Sequence, residues 1–115
     1  MVSVDYQALP EREDELLAAL ADARFSRRRT GAISWRAWRD GSQPGRVLEQ
    51  FVVASWQEHL LQHARVTERD QQRYDAIRAM TDPARPTTVT HWLTPQFRRA
   101  GRSPSDPPGH EPTRR

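Results

Sequence analysis

Residues 47–70, "VLEQFVVASWQEHLLQHARVTERD", decide the fold. The stretch opens with apolar side chains on both faces of an extended segment, with Phe51 and Val53 on one side and Leu48 and Val52 on the other. A strand that is apolar on both faces needs cover on both faces. The segment therefore predicts a strand of a sheet whose two sides are both buried.

Two helix starts follow within the same stretch. Ser55 and Glu58 have the spacing of a capping box, in which the hydroxyl accepts from the third amide of the helix and the acid reaches back. Thr67 and Asp70 repeat that spacing. The helical region is therefore expected to break near Val66 and to begin again.

The rest of the chain supplies three more strands and another helix. Val2, Val4 and Tyr6 alternate with polar residues, and the segments "ISWRAW" and "TTVTHWL" are rich in β-branched and aromatic residues. Between the first two of these strands, acidic residues crowd residues 11–15 and arginines crowd residues 24–29. Acidic residues near the N-terminus of a helix and basic residues near its C-terminus interact favourably with the helix dipole, so a helix is predicted there.

The resulting order is β-α-β-β-α-β, which predicts an α+β, ferredoxin-like fold with an antiparallel sheet. Helices on one side leave the other side of the sheet bare, and a domain this small cannot easily leave Leu48 and Val52 in water. We therefore expect a homodimer that packs sheet to sheet. Residues 1–95 are predicted to form this domain, and residues 96–115, rich in arginine and proline, a disordered tail.

Composition excludes several classes of function. The chain has 115 residues and no cysteine, so disulfides and thiolate metal sites are excluded. Its net charge of +3 comes from arginines in the tail, while acidic residues match the other arginines one for one. Nucleic-acid binding is therefore not expected. No apolar run is long enough to span a membrane and no signal peptide is evident, so a cytoplasmic location is expected.

The four tryptophans and the histidines are the candidates for a site. His59 and His63 lie four apart on a predicted helix, at the edge of an apolar arc of Trp56, Leu60, Leu61 and Ala64, which favours rim histidines or a role in a pocket. A metal site is not expected, because the metalloprotease spacing is missing and His91 lies on a distant strand. The tryptophans are interpreted as packing residues or as the wall of an aromatic pocket. The pocket candidates are Trp35, Arg36, Trp56, His59, His63, Tyr74 and His91.

Three stretches carry a family resemblance: "VSVDYQ", "RRRTGAISWRAWRD" and, above all, residues 47–70. With them, residues 2–94 resemble the dimeric α+β barrel superfamily of antibiotic biosynthesis monooxygenases. More specifically, they resemble the soluble C-terminal domain of major-facilitator exporters of the enterobactin-exporter type. The resemblance implies the ferredoxin-like fold and the homodimer. It leaves open whether the chain is freestanding or a separated piece of an exporter.

The function expected from this resemblance is a small, non-catalytic module that binds an aromatic or hydrophobic ligand or regulates an exporter. The alternative is a cofactor-independent monooxygenase acting on an aromatic polyketide-like substrate. The monooxygenase relatives let oxygen attack a substrate carbanion without any cofactor, so no cofactor is expected in either case. Under that alternative, Arg36, Tyr74 and a histidine would stabilise the substrate anion and accept its proton. A pure dimerisation module remains a third possibility.

Overall fold

A computed structural model describes residues 1–96, and the elements follow the predicted order. The strands and helices are β1 (Val2–Gln7), α1 (Glu13–Thr30), β2 (Ser34–Arg39), β3 (Arg46–Val52), α2 (Trp56–Ala64), α3 (Glu68–Ala79) and β4 (Thr88–His91). The strands form one antiparallel sheet in the order β2-β3-β1-β4. This is the split βαβ arrangement, so the predicted ferredoxin-like fold is confirmed. The expected disordered tail lies outside the described residues apart from Gln96.

The core lies between one face of the sheet and the helices. Every second residue of β1 and of β3 points inward toward the helices. Helix α1 contributes a stripe of buried residues three or four positions apart. The fully or nearly fully buried apolar residues are Val2, Val4, Tyr6, Ala8, Leu16, Leu20, Ala23, Ala32, Val47, Phe51 and Ile77. Helix α1 begins with acidic residues and ends with arginines, as predicted from the helix dipole.

The two predicted helix starts are formed differently. Helix α3 begins with a complete capping box: the Thr67 side chain accepts from the Asp70 amide, and the Asp70 carboxylate accepts from the Thr67 amide. At α2 the Ser55 hydroxyl accepts from the Glu58 amide as expected. The Glu58 carboxylate does not complete that box and instead pairs with Arg65 at 2.9 Å. The predicted break between the helices is confirmed.

The opposite face of the sheet carries a second set of apolar side chains. Leu48 and Val52 are half-buried there, and Trp38, which is the cross-strand partner of Leu48, is 49% exposed. The Trp38 indole donates to Gln50 at 2.8 Å. Strand β3 therefore has apolar residues on both faces, as predicted. Within residues 1–96, no helix has the length and apolar character needed to cross a membrane.

Candidate functional site

A cavity of about 420 Å³ lies between the inner face of the sheet and helices α2 and α3. Its floor is apolar, because Val2, Val4 and Phe51 point inward from the two central strands. Polar groups line its walls. They are Tyr6, Arg27, His59, Gln62, His63, Gln71, Tyr74, Arg78, Thr87 and His91. An apolar floor with a few converging polar groups is typical of a small-molecule site.

A buried carboxylate, Glu49, organises one wall. Its side chain is fully buried, and Arg27 donates to it through Nε and Nη2 at 3.0 and 3.1 Å. The Tyr6 hydroxyl and the Trp35 indole each donate to the same carboxylate at 2.8 Å. Both carboxylate oxygens are thus fully used, as a charge taken out of water requires. Arg27 is correspondingly committed to Glu49.

Arg27 is also clamped between aromatic rings. Its guanidinium carbon lies 4.7 Å from the centroid of the Phe51 ring and 4.5 Å from that of Tyr74. Burial alone would lower the pKa of the guanidinium, but the charge of Glu49 raises the pKa above its ordinary value. Burial, followed by the charge of Glu49, raises the pKa of the Tyr6 phenol. This wall therefore holds a fixed, charged Arg27 and a protonated Tyr6 at every physiological pH.

A histidine pair forms another wall of the cavity. The Nε2 atoms of His59 and His91 are 3.0 Å apart, and the Nδ1 atom of His59 lies 3.1 Å from Oε1 of Gln62. The Gln62 amide nitrogen donates to the Arg27 carbonyl at 3.2 Å, which orients that amide. The Gln62 oxygen must therefore accept from His59, so His59 carries its proton on Nδ1. Its Nε2 then accepts the hydrogen bond from His91.

More rings surround the histidine pair. The rings of His63 and Trp56 lie 4.8 and 5.6 Å from that of His59, and Trp56 meets His91 edge-on at 5.2 Å. Burial is the main cause that lowers the pKa of His59, and the neighbouring histidines lower it further. His59 is therefore neutral at neutral pH and offers a lone pair toward His91.

Two expectations about the histidines are wrong. His91 does not lie far from the helical pair: β4 pairs with β1 beside α2, which brings His91 into hydrogen-bonding contact with His59. The rim position expected for His59 is also wrong, because the apolar arc of α2 points away from the core and His59 points into it. Trp56, Leu60 and Leu61 are 44, 53 and 48% exposed, whereas His59 and Gln62 are 5% exposed. The helix is rotated because the buried hydrogen bonds of His59 and Gln62 fix its inner face.

The predicted pocket residues divide into two groups. His59, His63, Tyr74 and His91 line the cavity, and Trp56 contacts the histidines from the side. Trp35 stands behind the wall, where its indole holds Glu49. Arg36 alternates with Trp35 along β2 and so points to the opposite face, where its guanidinium lies 5.9 Å from the Trp38 ring.

Sequence reasoning missed Glu49 and Arg27. Glu49 alternates with the same set of residues as Val47 and Phe51, so its side chain must face inward with theirs. That alternation could have identified a buried carboxylate from the sequence. Arg27 was hidden among the arginines that end α1. Among residues 1–96, no cluster of three histidine, aspartate or glutamate side chains could hold a metal ion.

Comparison with solved structures identifies the fold. An antibiotic biosynthesis monooxygenase superposes with a TM-score of 0.65 and 18% identity, covering 82% of this chain and 97% of its own. SnoaB, a cofactor-independent oxygenase from Streptomyces nogalater, gives a TM-score of 0.65 and 14% identity, covering 84% and 93%. A conserved protein from Methanosarcina mazei Go1 gives 0.63 and 16%, covering 77% and 85%. The chain thus has the ferredoxin-like α+β fold of antibiotic biosynthesis monooxygenases.

A match to a protein family specifies the family to which the chain belongs. The model described as a transmembrane secretion effector matches residues 1–100. The chain belongs to the transmembrane secretion effector family. No curated protein matches it.

Proposed function

We propose that the protein is a homodimeric module that binds a small aromatic or hydrophobic molecule in the cavity and does not transform it. The observation that carries the proposal is the cavity of about 420 Å³ with an apolar floor and polar walls. That volume falls in the range of roughly 300–1,000 Å³ typical of small-molecule sites. We place the module in the cytoplasm, and its family membership supports a partnership with an exporter.

The disposition of the arginines supports binding without catalysis. A cofactor-free oxygenase must stabilise a substrate anion beside its base. Arg36, the expected stabilising group, points to the other face of the sheet, and Arg27 is already paired with Glu49. The cavity therefore offers an incoming ligand aromatic rings, phenols and imidazoles, but within residues 1–96 its only other guanidinium belongs to Arg78, whose side chain is largely exposed.

Binding is tested by calorimetry and tryptophan fluorescence with naphthol and anthrone. We expect both to bind and to quench the fluorescence, with Trp56 as the main reporter because its ring touches the histidines of the cavity wall. A Trp56→Phe variant should lose the quenching and keep most of the calorimetric affinity.

A cavity variant supplies the control for location. Val89 lines the cavity from the edge strand and is 52% exposed, so Val89→Trp can fill the mouth with little overpacking of the core. This variant should weaken binding at least about tenfold. Unchanged affinity in Val89→Trp, or no binding to the wild type, would refute the proposed site.

The second candidate is a cofactor-independent monooxygenase. The observation that favours it is the His59–His91 pair: Nε2 of His59 accepts from the Nε2–H of His91, which leaves the Nδ1 lone pair of His91 free to accept a proton from a phenolic or anthrone substrate. The similar fold of SnoaB adds support. Consumption of oxygen separates this candidate from the first.

A further inference from the structure

The permanently charged side chains around the histidine pair are two arginines and one glutamate. The titratable groups that line the cavity with His59 are Tyr6 on β1, Arg27 on α1, His63 on α2, Tyr74 and Arg78 on α3, and His91 on β4, and Arg27 is paired with Glu49 on β3. Glu49 is the single acid among them, and its carboxylate is already filled by Arg27, Tyr6 and Trp35. No carboxylate in this set is left to balance a proton on the histidines.

The hydrogen bonds of the pair allow it one extra proton. His59 keeps its Nδ1 proton on Gln62 and accepts at Nε2, so a proton added to Nδ1 of His91 leaves the contact between the two Nε2 atoms intact. A second proton would set two N–H groups against each other across 3.0 Å. The pair therefore changes between neutral and singly positive, and an anion in the cavity favours the positive form.

We propose that the ligand of this cavity is an organic anion, a flat apolar body carrying a carboxylate, and that the His59–His91 pair takes up one proton when it binds. The inference rests on the proposed function and adds the chemical class of the ligand to it. The apolar body lies on the floor of Val2, Val4 and Phe51, and the carboxylate faces the histidines. The proton supplies the positive charge that Arg27, held by Glu49, does not.

Proton uptake makes binding depend on pH in a defined direction. If one proton is bound with the ligand, affinity rises about tenfold for each unit by which the pH falls, as long as the free pair is neutral. A carboxylate with an ordinary pKa stays ionised across this range, so the change belongs to the protein. The affinity for a neutral ligand of the same shape should not depend on pH, because its binding does not favour the protonated form of the pair.

The experiment compares naphthoate with naphthamide by titration calorimetry in buffers of different ionisation enthalpy, from about pH 8 to about pH 6. Naphthoate should bind with uptake of about one proton and with affinity that rises as the pH falls. Naphthamide should bind with neither effect. His91→Gln should abolish the uptake and keep naphthamide binding, and His91 is exposed, so this variant should fold.

Arg78→Gln is the matched control, because it removes a cation of the cavity wall and leaves both imidazoles of the pair in place. It should lower naphthoate affinity without changing proton uptake. Naphthoate binding with no proton uptake, uptake that survives in His91→Gln, or binding of naphthamide alone would overturn the inference and leave the proposed function standing. Failure of both ligands to bind would overturn the proposed function and this inference with it.

Discussion

Individual buried charges determine both the stability and the shape of the cavity. Glu49 accepts from Arg27, Tyr6 and Trp35, and Asp70 accepts from Ser26 at 2.7 Å, from Arg29 and from Thr67. Each carboxylate ties α1 to another element: Glu49 joins it to the sheet, and Asp70 joins it to α3. Loss of either should loosen the frame around the ligand.

Glu49→Gln should destabilise the protein by about 3 kcal/mol, because it leaves the charge of Arg27 without a partner inside the protein. The control is Glu15→Gln. Glu15 also pairs with an arginine, Arg12, at 2.7 Å, but both side chains are about half exposed, so the loss should stay below about 1 kcal/mol. Urea denaturation measures both. Equal losses would show that burial of the Glu49 pair has no energetic consequence.

Asp70 should make the free energy of unfolding depend on pH in the acid range. Burial raises the pKa of its carboxyl, but hydrogen bonds from the Thr67 amide, Ser26 and Arg29 outweigh burial and hold the pKa well below its ordinary value. A carboxyl with a lowered folded pKa contributes stability above its unfolded pKa of about 3.9 and loses that contribution as the pH falls below it.

The wild type should therefore exceed Asp70→Asn in free energy of unfolding by about 2 kcal/mol at neutral pH, and the difference should shrink below about pH 4. Urea denaturation at several pH values measures this difference. Asp75→Asn, which alters an exposed carboxylate of the same helix, should show no such trend. A difference that is constant down to acid pH would contradict the assignment of the lowered pKa.

Helix ends show how far the sequence determines the elements. The spacing of Thr67 and Asp70 predicts the start of α3 because the box depends only on neighbouring residues. The face that α2 buries was not predictable in this way. Apolar spacing pointed to Trp56 and Leu60, whereas partners distant in sequence, Arg27 and His91, bury His59 and Gln62 instead.

The same limit applies to the site. Tyr74 and the histidines could be chosen by residue type, and alternation placed Phe51 on the inner face. The convergence of His91 with His59 depends on the pairing of β4 with β1, which no local pattern contains. Glu49 was readable from its parity, but its partner on α1 was one arginine among several.

The cap of α3 is testable at the scale of the element. Thr67→Ala should cost about 1 kcal/mol, since it removes the acceptor for the Asp70 amide and a donor to the Asp70 carboxylate. Thr67→Ser should recover most of that loss because it keeps the hydroxyl. Chemical denaturation followed by circular dichroism provides the comparison. A serine variant as unstable as the alanine variant would mean that the methyl group, and not the hydroxyl, matters.

At the scale of the whole molecule, the outer face of the sheet predicts the assembly. Leu48, Val52 and the exposed Trp38 lie together on that face. A stable interface needs about 800 Å² from each partner, which one face of a four-stranded sheet can supply. We expect a homodimer that packs through this face.

Light scattering at micromolar concentration should therefore give twice the protomer mass of 13.3 kDa. Leu48→Asp should yield monomers or unfold the chain, and Trp38→Glu, at a position already half exposed in the protomer, should yield folded monomers. Leu60→Asp changes an equally apolar, exposed residue on α2 and should remain dimeric. A monomeric wild type would rule out this interface.

The central claim is that the cavity binds an aromatic ligand without transforming it, and oxygen uptake during anthrone binding tests it most directly. The electrode trace is recorded at anthrone concentrations that saturate the fluorescence signal, with heat-killed protein as the background. We predict saturable quenching and oxygen consumption equal to that background. Consumption above the background that disappears in His91→Gln, while anthrone still binds, would contradict the claim and establish the monooxygenase.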